Sequence, residues 1–161
     1  RALEACGMKF VYDREVTAAT RRPVGELQCL LVNTPGGLQT FYTEATVLFI
    51  GSSLLGPGGQ DPLPPAALGK AMMIGPNMGD FEPLVTQLIE ANGAVRVSDP
   101  AEFESTLDRL LADPAGRAGL GCEARRVAGA WNAALDGTVE MIVSGLARVA
   151  EIGIASCRGR V

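Results

Sequence analysis

Short, largely apolar runs alternate along this chain with stretches in which apolar residues return every three or four positions. Residues 8–12, 29–32, 46–50, 71–74 and 94–97 are runs of four or five residues, the pattern of strands buried on both faces. Between them, residues 38–44 place Leu38, Phe41 and Tyr42 at helical spacing, and residues 81–91 set Phe81, Leu84, Val85, Leu88 and Ile89 on one face before Asn92-Gly93. Residues 63–68 read as a short helix ended by Gly69, and residues 1–6 as the tail of a helix closed by Gly7, because glycine takes a left-handed cap without a Cβ penalty. Asp99-Pro100 is a helix start, and Phe103, Leu107, Leu110 and Leu111 carry that helix to Asp113. Beyond it, residues 121–131 and 138–152 keep helical spacing, with a break expected near Asp136-Gly137 and a loose terminus over 153–161.

Strands that alternate with helices predict an α/β fold: a Rossmann-like open, mainly parallel sheet joined by right-handed crossovers and followed by a helical C-terminal segment. At 161 residues the chain fits one domain, expected over 1–152. The apolar share of 47% and charged share of 20% are those of a globular protein. A net charge of -4 argues against nucleic acid as a partner, since phosphate-backbone binding needs clustered Lys and Arg. The chain has no His, and its four Cys are scattered without a CxxC pair, so neither a zinc site nor a disulfide framework is expected; free thiols suit a reducing cytoplasm. No window approaches the ~20 apolar residues of a spanning helix. Opening at Arg1, the sequence reads as a piece of a longer protein.

In an open α/β sheet, ligands bind beyond the carboxyl ends of the strands. Two loops stand at such ends: Asn33-Thr34-Pro35-Gly36-Gly37 after the 29–32 run, and the glycine-rich stretch 51–61 after the 46–50 run. Gly58-Gly59 permits close backbone approach, and the helix that follows would turn its amides toward an anion.

The continuous string Gly58-Gly59-Gln60-Asp61-Pro62-Leu63-Pro64-Pro65-Ala66-Ala67-Leu68-Gly69-Lys70, followed by Gly75-Pro76-Asn77-Met78-Gly79-Asp80-Phe81, resembles the signature of 3-deoxy-D-manno-octulosonic acid (Kdo) transferases, about GG[HQ]NPxEPAAxGKP…GP[HN]MxNF. Asn33-Thr34-Pro35-Gly36-Gly37-Leu38 with Phe41-Tyr42 resembles that family's DTxGEL…FY segment, and Phe49-Ile50-Gly51-Ser52-Ser53-Leu54 its FVGxSL strand and loop. The resemblance implies the C-terminal, donor-binding half of a GT-B glycosyltransferase. It implies CMP-Kdo as the donor, and a lipid A precursor as the acceptor, held by an N-terminal domain absent from this chain. It also implies action in the cytoplasm at the inner face of the plasma membrane, with peripheral membrane association in the full-length protein only.

By the same resemblance the donor is bound by Gly51, Ser52, Ser53, Gly58, Gly59, Gln60, Asp61, Arg14, Thr34 and Gly36. The catalytic carboxylate is expected in the absent half, so no catalytic residue is assigned, and no metal or other cofactor is called for. Leaving-group charge would be met by loop amides and basic side chains.

Four positions depart from the family pattern. Asn33 and Gly37 replace two carboxylates of DTxGEL, Asp61 replaces an Asn, and Pro64 stands where the family's Glu would hold the ribose. Proline offers neither a carboxylate nor an N–H. Two alternatives therefore stand beside the donor-binding reading. One is a diverged or truncated relative that keeps the fold without catalysis. The other is a dinucleotide-binding oxidoreductase domain, weakened by the absence of a GxGxxG opening a helix.

Overall fold

The computed structural model describes residues 2–158 apart from 18, 19, 21, 22, 24, 27, 34, 35 and 57, and gives the backbone alone from 147 onward. The chain divides into two compact units, residues 1–45 and 46–161.

The first unit begins with helix α1 (Ala2–Ala5), ended by Gly7 at φ +66°. Strand β1 (Phe10–Tyr12) pairs in parallel with β2 (Cys29–Leu31), Phe10 opposite Cys29 and Tyr12 opposite Leu31. A 3-10 turn, Asp13–Glu15, follows β1, and helix α2 (Leu38–Glu44) follows β2. Asp13 joins the two strand ends: its Oδ1 accepts hydrogen bonds from the amides of Arg14 at 2.9 Å and Asn33 at 3.2 Å.

The second unit is built on three parallel strands in the order β3-β4-β5, namely Leu48–Phe49, Met72–Ile74 and Val95–Arg96. Helix α3 (Leu63–Ala67) links the first pair. A 3-10 turn (Gly79–Phe81) and helix α4 (Glu82–Glu90) link the second. Helix α5 (Pro100–Ala112) and the 45-residue α6 (Pro114–Arg158) complete it. As the central strand, β4 is flanked on both edges and buried throughout, which is why Met72, Met73 and Ile74 form an unbroken apolar run instead of an alternating one. Ile74 and Met72 pack with Val85 and Leu88 of α4 and with Ala124 and Ala128 of α6.

Small residues bring α6 close to α3. A side chain at Gly121 would enter the space of the Gly69 carbonyl, and Arg125 Nη2 donates to the Leu68 carbonyl at 2.9 Å, satisfying an acceptor at the end of α3 that has no partner within its own helix. The start of α5 is fixed reciprocally: Asp99 Oδ1 accepts from the Glu102 amide, and Glu102 Oε2 accepts from the Ser98 amide.

Two expectations need correction. The helix does not break at Asp136-Gly137, and residues 153–158, expected in a loose terminus, continue α6. A helical glycine costs only about 1 kcal/mol relative to alanine, and the residues around it are mostly good helix formers. Thr138, which could have competed with the helix, turns its hydroxyl back to donate to the Ala134 carbonyl at 2.9 Å. The parallel pairing expected of the strands is found in two small sheets, one per unit.

Candidate functional site

Because β3 and β4 run parallel, the loops that leave their carboxyl ends, residues 51–61 and 75–79, emerge on the same edge of the sheet. Ser53 fastens one to the other. Its hydroxyl is completely buried, donates to the Ile50 carbonyl at 2.5 Å and accepts from the Gly75 amide at 2.8 Å. The Ser53 carbonyl accepts from the Asn77 amide at 2.8 Å, and the Asn77 carbonyl accepts from Gly59 at 2.8 Å. Asn77 Nδ2 donates to the Leu54 carbonyl at 3.2 Å. Gln60 closes the loop on itself, its amide donating to the Gly51 carbonyl at 3.3 Å.

This lacing dictates glycine at two positions. A Cβ on Gly75 would stand 2.5 Å from the Leu54 amide nitrogen, against backbone that cannot yield, and one on Gly59 would strike the buried Met78 side chain. Met78, 1% exposed, is thus the floor on which the Gly58-Gly59 turn rests. Ser52 bends the chain at φ 62°, a left-handed conformation that non-glycine residues adopt rarely.

Of the ten residues expected to contact a donor, Gly51, Ser52, Gly58, Gly59, Gln60 and Asp61 lie on this first loop. Ser53 lies there too, but its hydroxyl is spent on the loops themselves and is sealed from solvent, so that side chain positions the loops. Arg14 and Gly36 belong to the first unit. Arg14 is exposed, with its guanidinium 5.1 Å from the centre of the Tyr12 ring, and Gly36 takes φ +88°. Thr34 lies outside the described residues.

At the start of α3, where the sequence leads one to expect amides turned toward an anion, few are available. The Leu63 amide donates to Asp61 Oδ1 at 2.9 Å, Pro64 and Pro65 have no N–H, and the Ala66 amide donates to the Pro62 carbonyl. Every donor of that first turn is consumed or missing, and the group that takes the Leu63 amide is itself a carboxylate. The lacing engages the amides of Gly59, Gln60, Gly75 and Asn77; those of Ser52 and Gly58 on the first loop and of Gly79 and Asp80 on the second take no part in it. The second pair precedes α4, whose dipole favours negative charge at that end. Sequence reasoning assigned no ligand contact to residues 75–79; the signal available was the spacing of Gly75-Pro76-Asn77-Met78 directly after a buried strand.

An open cavity of ≈450 Å³ adjoins the first loop, lined by Phe49, Ser52, Leu54, Leu55 and Gly56. Phe49 is braced by an edge-on contact with Phe103, ring centres 5.0 Å apart. The edge therefore supplies amides, the Ser52 hydroxyl and the Gln60 carboxamide beside an apolar wall. That set can bind a polar anion; the one carboxylate on the first loop, Asp61, accepts from the Leu63 amide, and among the described residues no nucleophile–base pair stands at the loops.

No family model matches the chain. Over 144 residues, 89% of the chain, it is 30% identical to the 3-deoxy-D-manno-octulosonic acid transferase of Bordetella pertussis. Over 114 residues, 70% of the chain, it is 29% identical to the protein of the same name from Haemophilus influenzae. The chain spans only 32% and 26% of the length of these relatives. Among solved structures it is similar to the C-terminal CMP-Kdo binding domain of WaaA from Acinetobacter baumannii, with TM-score 0.69 and 23% identity over 78% of this chain and 63% of that one. The sequence kinship is with Kdo transferases, and the fold is that of a C-terminal domain of that family.

Proposed function

We propose that this relative of the Kdo transferases binds CMP-Kdo on the β3–β4 loops and acts as the donor-holding part of a glycosyltransferase that delivers Kdo to a lipid A precursor. The observation that carries the reading is the lacing around Ser53. Segments 51–54, 58–61 and 75–78, which together bear the resemblance to the family signature, are separate in sequence yet meet at one sheet edge through hydrogen bonds of 2.8–3.3 Å. The amides of Ser52, Gly58, Gly79 and Asp80 are the donors for the phosphate, and the Gln60 carboxamide, which lies beside Gly51, hydrogen-bonds the ligand. Arg14, Thr34 and Gly36 enter this proposal on the resemblance alone. The acceptor, the catalytic carboxylate and any association with the inner face of the plasma membrane belong to chain beyond these residues. No helix among the described residues is long and apolar enough to cross a membrane.

A second reading, a diverged relative that keeps the fold but not the ligand, is favoured by the start of α3, where Asp61 and the prolines leave no amide for an anion. Isothermal titration with CMP and CMP-Kdo separates the two. The donor-binding reading expects saturable heat with both ligands, and absence of heat with either would leave the diverged reading standing.

A further inference from the structure

A cavity of ≈480 Å³ opens where the turn into β5 meets the end of α5 and the start of α6. Arg109 and Leu110, at the end of α5, stand there beside Asn92, which leads into β5. The cavity therefore lies toward the amino ends of the strands, whereas the β3–β4 loops leave the carboxyl ends. Ile89, Leu110 and Leu120 give it an apolar wall, and its polar side chains are those of Asn92, Arg96 and Arg109; among the described residues no carboxylate lines it. Arg96 gives Nη2 to Glu82 Oε1 at 2.6 Å, which leaves its other N–H groups for a further acceptor. Arg109 forms no hydrogen bond or ion pair with another described residue, and neither does the Asn92 carboxamide. Asp113, at the start of α6, is turned to the Gly116 amide, from which it accepts at 2.9 Å. With Glu82 neutralising Arg96, the lining keeps one uncompensated positive charge, that of Arg109.

We infer that this cavity is a second binding site, for a small monocarboxylate that carries an apolar body. Three observations select that ligand. A guanidinium is a planar fork that matches a carboxylate through two hydrogen bonds, and that of Arg109 is unengaged. One uncompensated charge suits a singly charged group better than a phosphate monoester, which is close to doubly charged at neutral pH. The apolar wall suits an alkyl or aryl body, each buried methylene of which strengthens binding about fourfold, and the volume is that of small-molecule sites, ~300–1,000 Å³. Arg109 holds the carboxylate, and the Asn92 carboxamide donates to it from the turn into β5. Asn92 takes φ 55°, a backbone role that glycine would fill without a side chain, so the turn alone does not call for the carboxamide. Ile89, Leu110 and Leu120 cover the body. This inference does not rest on donor binding, since the cavity and the β3–β4 loops share no residue.

Titration of the ¹⁵N-labelled 161-residue chain with sodium octanoate to about 20 mM, followed by nuclear magnetic resonance, tests it. The expected result is saturable shifts at the amides of Asn92, Val95, Arg109 and Leu120, half-complete at about 1 mM, the scale for a ligand of this size. Acetate, which has the carboxylate without the body, should bind at least about tenfold more weakly, and so should inorganic phosphate. Arg109→Met keeps the apolar stem and removes the charge. It should weaken octanoate binding at least about tenfold, with the thermal midpoint retained because Arg109 has no partner to lose. Octanoate that shifts none of these amides at the highest concentration would overturn the proposal, as would shifts spread over the surface without saturation. So would acetate or phosphate binding as tightly as octanoate, or an Arg109→Met variant that binds octanoate as the parent does.

Discussion

At the residue scale, the account turns on Ser53, a side chain that looks like a ligand contact in sequence and is a fastener in the structure. A loop serine after a strand is indistinguishable, in one dimension, from a hydroxyl waiting for phosphate. What assigns it is burial together with two partners, one of them 22 residues away, and neither can be read from a local pattern. Removing the hydroxyl leaves the Gly75 amide and the Ile50 carbonyl buried without this partner. Ser53→Ala should therefore destabilise the fold by about 1–3 kcal/mol, read as a lower urea midpoint with unchanged slope. Its effect on CMP binding should appear with it, because the loop that presents Ser52 and Gly58 loses its anchor. A variant as stable as the parent would contradict the clamp. Asp13 does comparable work in the first unit, bonding both its own strand end and Asn33 at the next.

At the element scale, most helices and strands were legible because their signals are local. Apolar runs marked the strands, Asp99-Pro100 marked the start of α5, and the spacing over residues 38–44 marked α2 to the residue. The failed reading, a break at Asp136-Gly137, came from weighing one glycine too heavily in a helix whose Ala133, Ala134, Leu135 and Glu140 favour continuing. Helix α3 shows the opposite failure: the element was foreseen, but its capacity to bind an anion depended on which amides remained, and Asp61 takes the only one in its first two positions. That gives a paired prediction. Pro64→Glu restores both an N–H and a carboxylate at the start of α3 and should tighten CMP binding by about tenfold, the scale of one charge-assisted hydrogen bond. Asp61→Asn keeps a capping oxygen while removing the negative charge, and should tighten binding by a smaller factor without loss of thermal stability. Titration calorimetry of the two variants against the parent checks both; weaker binding in each would mean that the start of α3 is not part of the ligand site.

At the scale of the whole molecule, kinship and chemistry separate. The fold follows that of a C-terminal CMP-Kdo binding domain over 78% of the chain, and the glycines that lace the two loops are in place, while Pro64 and Asp61 have altered the donors around them. The division into two units and the paired loops at the β3–β4 edge were not legible in sequence, because both depend on contacts between distant segments. Nuclear magnetic resonance of the ¹⁵N-labelled chain titrated with CMP tests the central claim most directly. The account predicts saturable shifts concentrated at the amides of Ser52, Gly58, Gln60, Gly79 and Asp80, with the α5 and distal α6 signals still. Shifts confined to those helices, or none at ligand excess, would contradict it.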